Sequence, residues 1–162
     1  MFRIAFVGFS LISSTLLAAS GSPLIGDMSR EELFHYHPQF KKNFNSYEVS
    51  DTYALFELQR TKIKILFGTW CHDSEREVPR ILKILDELNV PQKNISLIGL
   101  NFGKKEPLNR GSEFRITKTP TIIFFRQDKE IGRIEESPGL SIEGVGNVSI
   151  TLEDNILSIL EN

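Results

Sequence analysis

From residue 61 onward, short apolar runs alternate with amphipathic stretches. The run "KIKILFG" (62–68) is rich in β-formers and reads as a buried strand. In "EVPRILKILDEL", Val78, Ile81, Leu82, Leu85 and Leu88 fall on one helical face, which the helix buries. "NISLIGLNF" (94–102) reads as a second strand, "PLNRGSEFRI" as a short or irregular helical connection, and "TIIFFRQ" (121–127) as a third strand. "EIGRIEES" (130–137) follows a "QDKE" turn and reads as a fourth strand, antiparallel to the third. "TLEDNILSILEN" (151–162) closes the chain as a helix, with Leu152, Ile156, Ile159 and Leu160 at helical spacing and acids in the first turn. The order βαβα then ββα predicts an α/β fold. A crossover makes the first two strands parallel and a hairpin makes the last two antiparallel, so the central sheet is mixed, with helices on both faces. "SPGLSIEGVGNVS" (137–149) reads either as a loop or as a small extra hairpin.

Before residue 61 the pattern differs. Residues 29–60 are polar with scattered aromatics and predict two short helices rather than strands, the first capped by Ser29 with Glu32 completing a capping box, the second capped by Asp51. Phe34, Phe40, Phe44 and Tyr47 supply docking surface. Residues 21–60 are thus a helical N-terminal extension to a domain at 61–162. In residues 1–20, Arg3 is the only charge before an apolar run, and Ala18 and Ser20 suit the −3 and −1 positions of a cleavage site. The run is shorter than the about 20 residues of a stable span, so it reads as a secretory signal, with an uncleaved anchor as the alternative.

Composition narrows the function. The 162 residues are 40% hydrophobic and 25% charged, ordinary for one globular domain with a real core. Net charge is −2, or −3 once Arg3 is removed with the signal, and no basic stripe stands out to hold a phosphate backbone. Nucleic acid is therefore not an expected partner. Cys71 is the only cysteine, so no internal disulfide framework exists. His35 and His37, two residues apart, point to different faces of a helix and read as solvated surface histidines, not a metal pair. Glu75, Arg76, Glu77, Arg80 and Lys83 read as a solvated helix face, with Lys83 and Glu87 as an i,i+4 pair. No motif calls for a metal or a cofactor.

The remaining chemistry sits in "GTWCHDSEREVP" (68–79). Trp70 and Cys71 follow the first central strand, Ser74 comes three residues after the cysteine, Pro79 eight after it, and "KTPT" (118–121) leads into the third strand. In this order and spacing the residues resemble a thioredoxin-like protein over roughly residues 60–162. The resemblance implies a thioredoxin fold, with Cys71 at an exposed helix start, Pro79 as the proline that kinks the active-site helix, and Pro120 as a cis-proline opposite the site. Fold alone does not give activity. Two departures matter. Ser74 stands where the second cysteine of C-x-x-C would be, leaving no neighbouring thiol to resolve a mixed disulfide. Ile65 stands where the family has a buried acid. Both point away from dithiol reduction.

Monothiol exchange remains. Unpaired N–H groups and the positive dipole end at a helix start stabilise a thiolate; His72 when protonated assists it and Asp73 opposes it. The resemblance makes Cys71 and Ser74 the catalytic pair, with Ser74 donating a hydrogen bond to the sulfur. Trp70, His72, Thr119 and Pro120 become the substrate-binding set, Trp70 covering the sulfur and the Thr119 backbone open to an extended substrate. Asp73 equally suits a plain first-turn role. The expected partner is a protein client or a small thiol such as glutathione, in a periplasmic or secreted setting. A Cys-His hydrolase fits poorly because His72 diverges from the sulfur on a helix, and a peroxiredoxin fits poorly because Gly68 occupies that family's threonine position. The rival reading is a redox-inactive peptide-binding or chaperone-like module.

Overall fold

The alternation of Ile63, Ile65 and Phe67 with Lys64 and Leu66 places β2 (Lys62–Phe67) between two apolar layers, at the centre of the sheet. The computed structural model describes residues 22–50, 53–142 and 146–161. In it β3 (Ile95–Gly99) runs parallel to β2, with Ile65 opposite Leu97, while β4 (Thr121–Arg126) is antiparallel on the other side, with Ile65 opposite Ile122. β5 (Lys129–Glu135) pairs antiparallel with β4. Helix α3 (His72–Glu87) carries the crossover between β2 and β3, and α5 (Leu152–Leu160) ends the chain. The result is an α/β fold with a mixed sheet flanked by helices.

The predicted core face of α3 is buried at Val78, Ile81, Leu82 and Leu85, and Leu88 packs partly buried against it. The main core gathers these with Ile63, Ile65, Phe67, Ile122 and Phe124, and with Ile156 of α5. A smaller core on the other face holds Leu66, Ile98, Leu100, Ile116 and Ile123, beside α4 (Arg110–Glu113). The stretch left open between loop and hairpin is a hairpin, β6 (Leu140–Ile142) with β7 (Gly146–Val148).

The N-terminal region departs from a purely helical extension. Ser29 caps α1 (Arg30–Tyr36) with the predicted capping box, its hydroxyl accepting from Glu32 N–H at 3.1 Å. Phe34 lies in α1, whereas Phe40 and Phe44 occupy a separate helix, α2 (Pro38–Ser46), started by Pro38 at its first position and followed by Tyr47 as its C-cap. The segment expected to follow Asp51 is a 3-10 helix, Tyr53–Arg60, and Asp51 itself lies outside the described residues. Ahead of α1, β1 (Gly26–Met28) pairs antiparallel with β3 and completes the five-stranded sheet, in the order β1-β3-β2-β4-β5. Its Asp27 binds Arg110, which also binds the buried Glu106, so the strand is tied to α4 by an ion triad.

Two polar expectations are corrected. Glu77 is not on a solvated face: it is 2% exposed, and Arg76 and Arg80 both bind its Oε1. Its position on α3 turns inward between those arginines, which a count of charges along the helix does not reveal. Lys83 and Glu87 do pair, at 3.5 Å. His37 is half-buried, packed edge-on against Phe40, and desolvation lowers its pKa. His35 is exposed as expected.

Candidate functional site

Cys71 is the N-cap of α3, in extended conformation, and its carbonyl accepts the N–H of Glu75 at 2.9 Å. The turn leading to it is closed on Gly68. Gly68 C=O accepts from Cys71 N–H at 3.0 Å, and Gly68 N–H donates to Ser74 Oγ at 3.3 Å. Only glycine fits at 68, because a Cβ there would enter the Trp70 indole. Trp70 lies over that glycine, donates from Nε1 to Leu100 C=O at 2.9 Å, and stacks on Phe102 with ring centroids 4.6 Å apart. Thr69 accepts from Leu24 N–H, so the segment before β1 braces the same turn.

Across from the turn, Thr119–Pro120 is a cis peptide. The Cys71 thiol donates to Thr119 C=O at 3.1 Å, and Pro120 C=O accepts from Glu136 N–H. The fold thus brings Trp70–Cys71 and Thr119–Pro120 together, from two separate parts of the chain. Three expected details differ. Ser74 is fully buried and its hydroxyl accepts from the Gly68 backbone, and no bond from it to the sulfur is found among the described residues. Thr119 is 5% exposed with its carbonyl taken by the thiol, so its backbone is not open to an extended substrate while that bond stands. His72 is exposed and turns toward α2, lining a cleft of about 350 Å³ with Gln39, Asn43, Tyr47 and Arg80.

The electrostatics of the turn are largely cancelled. Asp73 pairs with Arg76 at 2.8 Å, in keeping with a first-turn structural role, and Lys118 pairs with Glu136 at 2.7 Å. Pro79 is buried in α3 and cannot donate to Glu75 C=O; Asn43 of α2 supplies that bond instead, from Nδ2 at 2.8 Å. Ile65 is wholly buried in apolar surroundings. Among the described residues no cluster of His, Cys, Asp or Glu is arranged to hold a metal ion, and no helix is long and apolar enough to cross a membrane.

Sequence reasoning missed Phe102, Leu100 and Asn43 as parts of this site. Phe102 was expected inside a strand reaching 102, but β3 ends at Gly99 and residues 101–105 form a tight turn, Lys104 N–H donating to Asn101 C=O at 2.8 Å. The Gly103-Lys104-Lys105 run was the available signal, since glycine beside two lysines ends an apolar strand. Compared with protein-family models, with curated proteins and with solved structures, the chain gives no significant match.

Proposed function

We propose that this is a thioredoxin-like protein of C-x-x-S type that carries out monothiol–disulfide exchange through Cys71. The fold reading is supported by the parallel β2 and β3 joined across α3, with antiparallel β4 and β5 beyond β2 and a closing α5. The observation that carries the functional reading is the half-buried Cys71 sulfur at the start of α3, held 3.1 Å from the carbonyl of a cis X-Pro peptide. In the exchange, the Cys71 thiolate attacks one sulfur of a client or small-molecule disulfide. A Cys71–substrate S–S bond forms as the substrate S–S bond breaks, and the departing sulfur leaves as a thiolate. Loss of the thiol proton frees Thr119 C=O, which then becomes an acceptor for the substrate backbone. With no second cysteine in the chain, an external thiol releases the adduct. The client is a protein or a small thiol such as glutathione, and the signal-like residues 1–20 support a periplasmic or secreted setting.

Mass spectrometry of wild type and Cys71→Ala after incubation with glutathione disulfide and with a disulfide-containing client extract tests this. An adduct on wild type alone is expected. If the wild type captures neither, the reading is wrong.

A second reading rests on the thiol's own hydrogen bond. A sulfur engaged as a donor to Thr119, with Ser74 committed to Gly68, suits a peptide-binding module that does not turn over. That reading requires Cys71→Ser to keep client binding while substitution of Trp70 or Pro120 abolishes it.

A further inference from the structure

Trp70 and Phe102 form an aromatic platform at the sulfur-bearing turn. Their rings stack, and Phe102 is 69% exposed, so the pair presents an apolar aromatic surface to solvent at this turn. The platform is held rigidly. Trp70 is fixed by Leu100 C=O, and the turn carrying Phe102 is closed at both ends, by Asn101 N–H to Lys105 C=O at 3.0 Å and Lys105 N–H to Asn101 Oδ1 at 3.0 Å. That same turn carries the exposed Lys105 and the half-buried Lys104, neither of which has an ion-pair partner among the described residues. Of the other charges near the site, Asp73 is paired with Arg76 and Lys118 with Glu136, while Glu75 lines the cleft on the α2 side with His72. The Asp27–Arg110–Glu106 triad carries one net negative charge, its Glu106 buried and its Asp27 side chain 64% exposed, and against it the two lysines set two positive charges. The two lysines therefore set the sign of the rim.

We propose that Trp70, Phe102, Lys104 and Lys105 are the docking surface for an extended client segment in which an aromatic or apolar residue and acidic residues flank the cysteine that Cys71 engages. The aromatic residue stacks on the Trp70–Phe102 platform, and the acids meet the lysines. Preorganised aromatics supply contact area at little entropic cost, and the lysines add steering and choice among clients. This inference rests on the exchange reading above, and its test separates the two.

Two synthetic peptides serve as probes, each with one cysteine activated as a mixed disulfide with 5-thio-2-nitrobenzoate and preceded by phenylalanine, one flanked by Asp and Glu, the other by Lys. Attack by Cys71 joins the peptide to the protein and releases thionitrobenzoate, which absorbs visibly. With the full chain at low ionic strength, the acidic peptide is expected to react about threefold to tenfold faster, with the advantage shrinking as salt screens the lysines. Lys104→Glu/Lys105→Glu should reverse the preference, and Phe102→Ala should slow both peptides. Docking is read without chemistry by replacing the peptide cysteine with serine and following the fluorescence of Trp70, the only tryptophan. The acidic serine peptide should shift it, and the double lysine variant should not respond. Equal rates for both peptides, or a preference unmoved by the lysine variant, overturns the docking proposal while leaving exchange intact. If neither peptide nor glutathione disulfide modifies the folded chain, although the urea-unfolded chain reacts, the exchange reading fails and the docking proposal with it.

Discussion

The Cys71 sulfur donates to the carbonyl oxygen of Thr119 across 3.1 Å, joining the start of α3 to the loop before β4. This contact makes a structural prediction that is separate from reactivity. Serine in place of the cysteine keeps a donor for Thr119 C=O, whereas alanine leaves that buried acceptor unpaired. Cys71→Ser should stay within about 1 kcal/mol of wild type, and Cys71→Ala should lose about 1–3 kcal/mol, because an unmet buried acceptor costs more than an altered bond returns. Urea midpoints of the three chains check this. Both variants should lose adduct formation completely.

A second prediction concerns the proline in α3. Pro79 leaves Glu75 C=O without its helical donor, and Asn43 Nδ2 fills the gap at 2.8 Å from the neighbouring α2. Asn43→Leu is of similar size but has no donor, so it should cost about 1–2 kcal/mol and loosen the α2–α3 contact. Pro79→Ala in the same chain restores the internal donor. The double variant should therefore recover most of the loss, and a double-mutant cycle showing independent effects would remove Asn43 from this role.

The period-2 and helical signals made β2, α3, β4, β5 and α5 readable, because each buries an apolar face that repeats in register. β1 was not readable. Gly26-Asp27-Met28 has no apolar alternation, and it is a strand only because β3 offers it hydrogen bonds, with its first residue, Gly26, at φ 94. Cys71, Trp70 and Pro120 were found from motif spacing, but their partners were not. The bonds to Thr119 and Leu100 join residues 48 and 30 positions apart. Likewise nothing local distinguishes Glu77, which is buried, from Glu75 two residues earlier.

Gly68 carries a third prediction. A methyl group there would overlap the Trp70 indole, and the indole is held between Gly68, Leu100 and Phe102. Gly68→Ala should expel Trp70, at a cost of about 1–3 kcal/mol from overpacking and a lost hydrogen bond. Its emission, the only tryptophan emission of the chain, should move to the red as the ring enters water. Phe102→Ala should leave the Leu100 bond in place and give a smaller shift. An unchanged spectrum for Gly68→Ala would show that the indole does not pack on residue 68.

The last prediction is the acid limit of the fold. Glu106 accepts from the Arg110 guanidinium at 3.0 Å and from the N–H groups of Leu108 and Arg110, and it is buried. The Arg110 hydrogen bond, helped by those backbone donors, outweighs desolvation and holds its carboxyl down at about 2, against 4.5 for the free side chain. The unfolded chain therefore takes up this proton first. The stabilisation is complete above about pH 5 and is lost as pH falls from there toward 2, with a size of roughly 3 kcal/mol. Glu32 and Asp128 are shifted in the same direction, by Ser29 and by Lys62, but both are exposed and add little. Glu106→Gln should be less stable than wild type at pH 7 and should lose less on acidification, so that the two stability curves converge toward pH 2. Urea denaturation at pH 7, 4.5 and 2.5 measures both slopes. Parallel curves would mean that the ion triad linking β1 to α4 does not set the acid stability of this chain.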